Sequence, residues 1–221
     1  MNVIISPEIK EKNNDIKLGI IHYRNIKVSE APQMLKGRLR LFQESIYFDL
    51  QDRTITSFEG IKEWRCIFKE FGTDPSKYRP SIEALFRRIQ KQTYLPTINS
   101  AVDLNNFFSL QYEVPLGIYD KSCLNGDISL RLGNEDESYL AINGREVSLY
   151  NKLVLADEQG PFGSPYVDSN RAPVSEQTSE ALQIIFLKPS LSTESSLKLT
   201  ESLSTMFTQI HGGEASYSLI N

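Results

Sequence analysis

The sequence predicts an α+β fold, with a β-sandwich-like core of mostly antiparallel or mixed strands and helices packed outside it. Three observations carry this. From residue 32 to residue 111, apolar side chains recur at three- and four-residue spacing, the signature of helices with one buried face. From residue 127 onward the apolar runs become short, often alternating, and are separated by Gly, Pro and Asn. Helices first and strands later, without a regular βα alternation, favour α+β over a doubly wound parallel sheet. The chain of 221 residues shows no internal repeat, and residues 1–221 are read as one domain.

The elements follow in order. Residues 1–56 form an N-terminal strand–helix part. Within it, 17–28 reads as a strand carrying Leu18 and Ile20, and 32–48 as a helix with Leu35, Leu39, Phe42 and Ile46 inward. A second helix over 58–71 buries Ile61, Trp64, Ile67 and Phe68 and stops at Gly72. Ser81 is read as the N-cap of a third helix and Asp103 as the N-cap of a fourth, running to about residue 111. Strands are expected at 128–132, 139–142, 147–149, 153–156 and 181–187, with Asn143-Gly144 as a hairpin turn. Residues 158–174, rich in Gly and Pro, read as a long loop. Leu199, Leu203, Met206, Phe207 and Ile210 mark a C-terminal helix over 190–212, and the last eight residues are expected to fray.

Composition bounds the function. The chain is 40% hydrophobic and 24% charged, ordinary for a globular protein. The apolar start Val3-Ile4-Ile5 is cut off by Ser6-Pro7-Glu8, too short for a signal peptide or a membrane span. Cys66 and Cys123 lie far apart and read as reduced, small, buried hydrophobes. Together these point to a cytoplasmic location. A net charge of −4 argues against coating nucleic acid by charge alone, and no DNA partner is expected. It does not exclude a protein that grips a short single-stranded end. Lys77, Arg79, Arg87, Arg88 and Lys91 face only Glu83 in one short window. This is either a solvated helix face or a patch that holds phosphates.

Several chemistries are excluded. His22, His211, Cys66 and Cys123 share no short spacing, so no metal site is expected. No phosphate-cradling glycine loop is present, and no cofactor is expected. Gly163-Ser164-Pro165 lacks the second glycine of a nucleophile elbow, and two histidines leave little basis for a Ser-His-Asp triad. What remains is a set of neutral and acidic polar groups at element ends.

Those groups carry a resemblance. Thr97-Ile98-Asn99, then Val102-Asp103-Leu104-Asn105-Asn106, then Pro115-Leu116-Gly117-Ile118-Tyr119-Asp120 follow one another with little filler. Leu153 to Asp157, Gly160-Pro161 and Val174 to Thr178 continue the pattern. Trp64-Arg65, Tyr78-Arg79-Pro80-Ser81, Glu83-Ala84-Leu85 and Arg87-Arg88 add to it. Over residues 57–188 the chain resembles the B3/B4 domain of the bacterial phenylalanyl-tRNA synthetase β chain, and more closely the free-standing proteins that carry this domain alone.

The resemblance implies a tRNA-binding domain that hydrolyses a mischarged aminoacyl-tRNA in trans. The alternatives are a non-catalytic RNA-binding module and an amino-acid sensor that needs no nucleic acid. It implies a substrate pocket of Asn105, Asn106, Gly117, Tyr119 and Asp120, a wall of Pro161, Phe162, Gly163 and Ser164, and Ile184 where the synthetase has a hydroxyl-reading glutamate. Helix capping is the other reading of the two asparagines. Gly117 stands where the synthetase has histidine and is expected to open space for a ligand. Arg79, Arg87, Arg88, Lys91 and Arg171 are the expected tRNA contacts, with Asp168 and Ser169 near the same end. No catalytic residue is singled out, and no aminoacylation or ATP use is expected, because no room remains for the synthetase's catalytic module. The oligomeric state, the amino acid and the tRNA are not legible.

Overall fold

A computed structural model describes residues 1–221. In chain order the elements are β1 (Val3–Ile5), α1 (Pro7–Lys12), β2 (Leu18–Arg24), α2 (Gln33–Asp52), α3 (Glu59–Glu70), α4 (Ser81–Gln90), α5 (Ser100–Tyr112), β3 (Leu116–Asp120), β4 (Ile128–Leu132), β5 (Ser138–Leu140), β6 (Glu146–Ser148), β7 (Leu153–Asp157), β8 (Gly160–Gly163), β9 (Ala181–Phe186), α6 (Thr193–His211) and β10 (Glu214–Ile220). One four-stranded sheet has the order β1-β4-β7-β8 and the other β10-β2-β9-β3, while β5 and β6 form a separate hairpin. All pairings are antiparallel except β1 with β4. The fold is α+β with a sandwich of two sheets.

Strand alternation decides which core each side chain enters. On β2, Leu18 and Ile20 face the other sheet, while Ile21 and Tyr23 face the helices. On β9, Leu182, Ile184 and Phe186 enter the inter-sheet core, and Ala181 and Ile185 the helical side. On β3, Tyr119 goes between the sheets while Leu116 and Ile118 go to the helices. A third cluster joins α2, α3, α4 and α5 around Leu39, Ile61, Phe86 and Leu110. Each buried aliphatic or aromatic side chain of this kind contributes about 1.5–3 kcal/mol.

A buried polar circuit ties α5 to the sheet. Asn105 Oδ1 accepts from Gln183 Nε2 (2.8 Å), and the Tyr23 hydroxyl donates to Gln183 Oε1 (2.7 Å). Tyr23 stacks on Phe207 and Phe207 on His211, each at 3.9 Å between ring centroids. His211 Nδ1 lies 2.8 Å from the Phe207 carbonyl, so it carries the proton, and Nε2 accepts from Ser100 Oγ at 2.8 Å. Ser100 stands at the start of α5, which closes the circuit. Burial lowers the His211 pKa, consistent with a neutral ring. This serine–histidine contact is fully buried and binds elements together.

Several expectations are corrected. Asn99, not Asp103, caps α5: its side chain accepts from Val102 N at 2.9 Å, and the helix starts four residues earlier than read. Asp103, one turn in, reaches back to Ile98 N (2.9 Å). Pro80, not Ser81, is the N-cap of α4, and Ser81 N donates to Pro165 O (2.8 Å), fastening the helix to the loop after β8. The expected long loop over 158–174 contains β8, and the expected frayed end is β10, paired along β2 over seven residues. β1 and α1 are further elements, three and six residues long. Cys66 and Cys123 are free but exposed. Cys66 lies off the α3 face that buries Trp64 and Ile67, and Cys123 ends a surface 3-10 turn.

Candidate functional site

Where α4, α5, β3 and the loop after β8 meet, two hollows adjoin. One is a cavity of about 340 Å³ and the other a cleft of about 530 Å³. They share Ala84, Arg88, Asn143, Tyr166 and Val167, so they form one recess with two ends. A groove of about 580 Å³ along α3 is larger, but solvated charges such as Glu59, Lys62 and Glu70 line it, and it contains none of the expected site residues.

Asn105 and Asn106 both line the cavity but differ in what they are free to do. Asn105 donates to Leu116 O (3.2 Å) and accepts from Gln183, so its amide is committed to the fold. Asn106, about 100° further round the helix, is half-buried and makes no side-chain hydrogen bond to the protein. Its amide is free.

Tyr119 crosses from the inter-sheet core to the cavity. A Cβ at Gly117 would lie 2.0 Å from its hydroxyl oxygen, and one at Gly163 2.3 Å. Both glycines therefore clear a path for the ring, which meets Phe162 edge-on at 4.8 Å between centroids. The space expected at Gly117 for a ligand is occupied by Tyr119. At the end of the path the Tyr119 hydroxyl donates to Asp168 Oδ1 (2.7 Å), and Ser164 N donates to the same oxygen (3.2 Å).

Asp168 is the group that sequence reasoning placed only loosely. It stands in a loop pinned on both sides. Ile142 N donates to Asp168 O (2.9 Å), Ser169 N to Phe162 O (3.0 Å) and Asp120 N to Ala172 O (3.0 Å). Burial pushes its carboxyl up to about 6, against the pull of the Tyr119 and Ser164 hydrogen bonds. Burial also raises the Tyr119 phenol well above its usual range, with Asp168 adding to the effect. The signal available in the sequence was an acidic residue in a Gly/Pro loop after the Gly160-Pro161 motif, which does not separate a surface turn from a cavity wall.

The other expected pocket residues are placed as follows. Ser164 lines the cavity and its hydroxyl organises the loop, donating to Val167 O (2.8 Å). Asp120 caps a 3-10 turn through Ser122 N (2.9 Å) and accepts from Thr178 Oγ1, outside the cavity. Pro161 and Phe162 belong to β8, and Phe162 points into the core. Ile184 does not line the cavity either: the alternation of β9 sends it between the sheets. Its neighbour Gln183 faces α5 and is used up by Asn105 and Tyr23.

The cleft is basic. Lys77, Arg79, Arg87, Arg88, Lys91 and Arg145 line it. Glu83, fully buried, holds Arg65 (2.8 Å) and Arg87 (2.8 Å), with Arg79 at 3.8 Å. Arg88, Lys91, Lys77 and Arg145 take part in no ion pair, so their charge is available to a ligand. Arg171 is not in this cleft: it pairs with Asp157 (2.8 Å) and lies over the Phe162 ring.

The B3/4 domain family model matches residues 63–210. The chain belongs to the B3/4 domain family. The match runs past the expected residues 57–188 into α6. A protein of Bacillus subtilis strain 168, described as the uncharacterised protein YhzB, is 37% identical over 213 residues, 96% of each chain. The phenylalanine–tRNA ligase β subunit of Shewanella oneidensis is 32% identical over 83 residues, 34% of this chain and 10% of that subunit. That of Streptomyces avermitilis is 34% identical over 93 residues, 42% of this chain and 11% of the subunit. An N-terminal fragment of the phenylalanyl-tRNA synthetase β subunit from Pyrococcus horikoshii superposes with a TM-score of 0.46 at 12% identity, covering 97% of this chain and 50% of that one. No helix of the B3/4 chain is long and apolar enough to cross a membrane.

Proposed function

We propose that this B3/4 domain binds the aminoacylated 3′ end of a tRNA and hydrolyses a mischarged aminoacyl ester in trans, as a stand-alone editing deacylase. The observation that supports this best is the two-ended recess, in which an amide-lined cavity opens into a cleft with six cations. A charged tRNA end has the same layout: an amino acid, an ester, then phosphates. Water adds to the ester carbonyl, the bond from that carbon to the ribose oxygen breaks, and the ribose oxygen takes a proton. Free amino acid and uncharged tRNA result. The ester is already activated, so holding it beside an oriented water suffices, and Asn106, with a free amide on the cavity wall, is assigned that task here. No cofactor is needed, and the substrate implies a cytoplasmic setting.

Val102, Leu116, Ile118 and Val174 on the cavity wall favour small or apolar side chains. Ile184 is turned between the sheets and Gln183 does not line the cavity, so neither reads a tyrosine hydroxyl there, and dedicated removal of tyrosine is not expected. The test is release of labelled amino acid from a panel of charged and mischarged tRNAs. Faster release of one or several small or apolar residues, lost in Asn106→Ala, supports the reading. Tight binding without release from any member would favour the second reading, a binding module without turnover, which the absence of histidine and thiol from the cavity wall supports. Neither binding nor release would refute both.

A further inference from the structure

We infer that Asp168 forms a subsite for a cationic amine, the α-ammonium group of the aminoacyl ester. This rests on the recess receiving a charged tRNA end. It goes further by naming the ligand class: esters with a free amine, and not their N-blocked or α-hydroxy counterparts.

Four features carry it. First, Asp168 is an unpaired carboxylate on the cavity wall. It belongs to none of the protein's ion pairs. Second, its two oxygens are divided. Oδ1 accepts from Tyr119 Oη (2.7 Å) and Ser164 N (3.2 Å), whereas Oδ2 accepts no hydrogen bond from the protein and stays accessible to solvent. Third, the charges along the recess have an order. Asp168 is the one acidic group on the cavity wall, and it is absent from the basic cleft. Arg88 is the one cation on the cavity wall, and it lies on the part shared with the cleft. A ligand that spans cavity and cleft therefore meets one negative group in the cavity and positive groups in the cleft. An aminoacyl end presents an ammonium, an ester and phosphates in that order. Fourth, Asp168 is held in place on two sides. Gly117 and Gly163 leave room for the tyrosine that positions it, and backbone hydrogen bonds pin its loop to β8 and to the hairpin.

A side-chain hydroxyl is a weaker fit. It could donate to Oδ2 but would leave the carboxylate's charge uncompensated in a half-buried place, where an opposite charge is worth more than in open water. Burial without a counter-charge already pushes the group up to about 6, and a bound ammonium supplies that counter-charge.

The test uses the full chain with alanyl-tRNA and phenylalanyl-tRNA, each as the free amine and after N-acetylation, and measures both filter binding and deacylation. Wild type should bind the free-amine forms at least tenfold more tightly. Asp168→Asn keeps an oxygen for Tyr119 and Ser164 but no charge, and should reduce the difference to less than twofold. Equal binding of the two forms by wild type, or a tenfold preference retained in Asp168→Asn, overturns the subsite. Preference for the free amine without any turnover leaves the subsite supported and overturns the deacylase reading. Turnover of both forms at equal rates does the reverse. No binding of any form overturns both.

Discussion

Asp168→Asn should make the protein more stable at neutral pH while impairing its recess. The carboxyl rises from an ordinary 3.8 to about 6 in the fold. A native pKa above the unfolded one means that the folded state holds the proton more firmly, so stability falls as pH rises through this window and stays lower above it. A rise of about two units, at about 1.4 kcal/mol each, is a cost of up to about 3 kcal/mol at neutral pH. Asparagine removes that cost and keeps the acceptor for Tyr119 and Ser164. In urea unfolding followed by the fluorescence of Trp64, the single and buried tryptophan, the variant should gain up to about 3 kcal/mol near pH 7.5. The gain should shrink to about half near pH 5, where most of the wild-type carboxyl is protonated. A variant less stable than wild type at neutral pH, or a gap that does not change with pH, would refute the idea that Asp168 is held as an uncompensated charge.

Further outcomes follow from the geometry. Replacing Arg88 and Lys91 together with alanine should weaken tRNA binding and lower its salt slope by about two phosphate equivalents, and an unchanged slope returns both to a solvated face. Glu83→Ala leaves three arginines around an empty buried position and should cost about 3–5 kcal/mol in urea unfolding, so a loss under about 1 kcal/mol would show that solvent already screens the cluster. Gly117→Ala drives a methyl into the Tyr119 hydroxyl and should cost about 1–3 kcal/mol. Gly37→Ala, in the second turn of α2 with nothing within 4 Å of the new methyl, should instead stabilise by about 0.5–1 kcal/mol. If both substitutions behave alike, the packing account of Gly117 fails.

The parts legible in the sequence are those where side-chain periodicity and burial coincide. Trp64, Ile67 and Phe68 marked α3, and Leu199, Leu203 and Phe207 marked α6, because each helix buries one face. β10 escaped because Glu214–Ile220 is a largely exposed edge strand. Its pairing with β2 is made by backbone groups, which leave no apolar pattern. β8 escaped because Gly160, Pro161 and Gly163 are turn formers, and here all three lie in a strand while Gly163 also lets a neighbouring ring pass. At the site, the order of the asparagine, tyrosine and arginine motifs was readable. Which of two adjacent asparagines is free was not, since that depends on Gln183, nearly eighty residues further along the chain. Asp168 was obscured for the same reason. Its burial is made by β3, β5 and the hairpin turn, none of which is local to it.

The circuit from Asn105 through Gln183, Tyr23, Phe207 and His211 to Ser100 has a consequence for selectivity. It grips α5 at two points on its inner face and so locks the helix's azimuth. A rotation by one residue would swing Asn106 about 100° off the cavity wall, and it would have to break a buried hydrogen bond at each grip. The recess is thus preorganised: a ligand finds its walls standing and spends little on ordering them. The same rigidity denies the cavity the option of closing around a poorer fit. Under the proposed function such a recess selects by shape and charge at first contact, and changes at Ser100 or Gln183, both fully buried, should blur that choice as surely as changes on the wall itself.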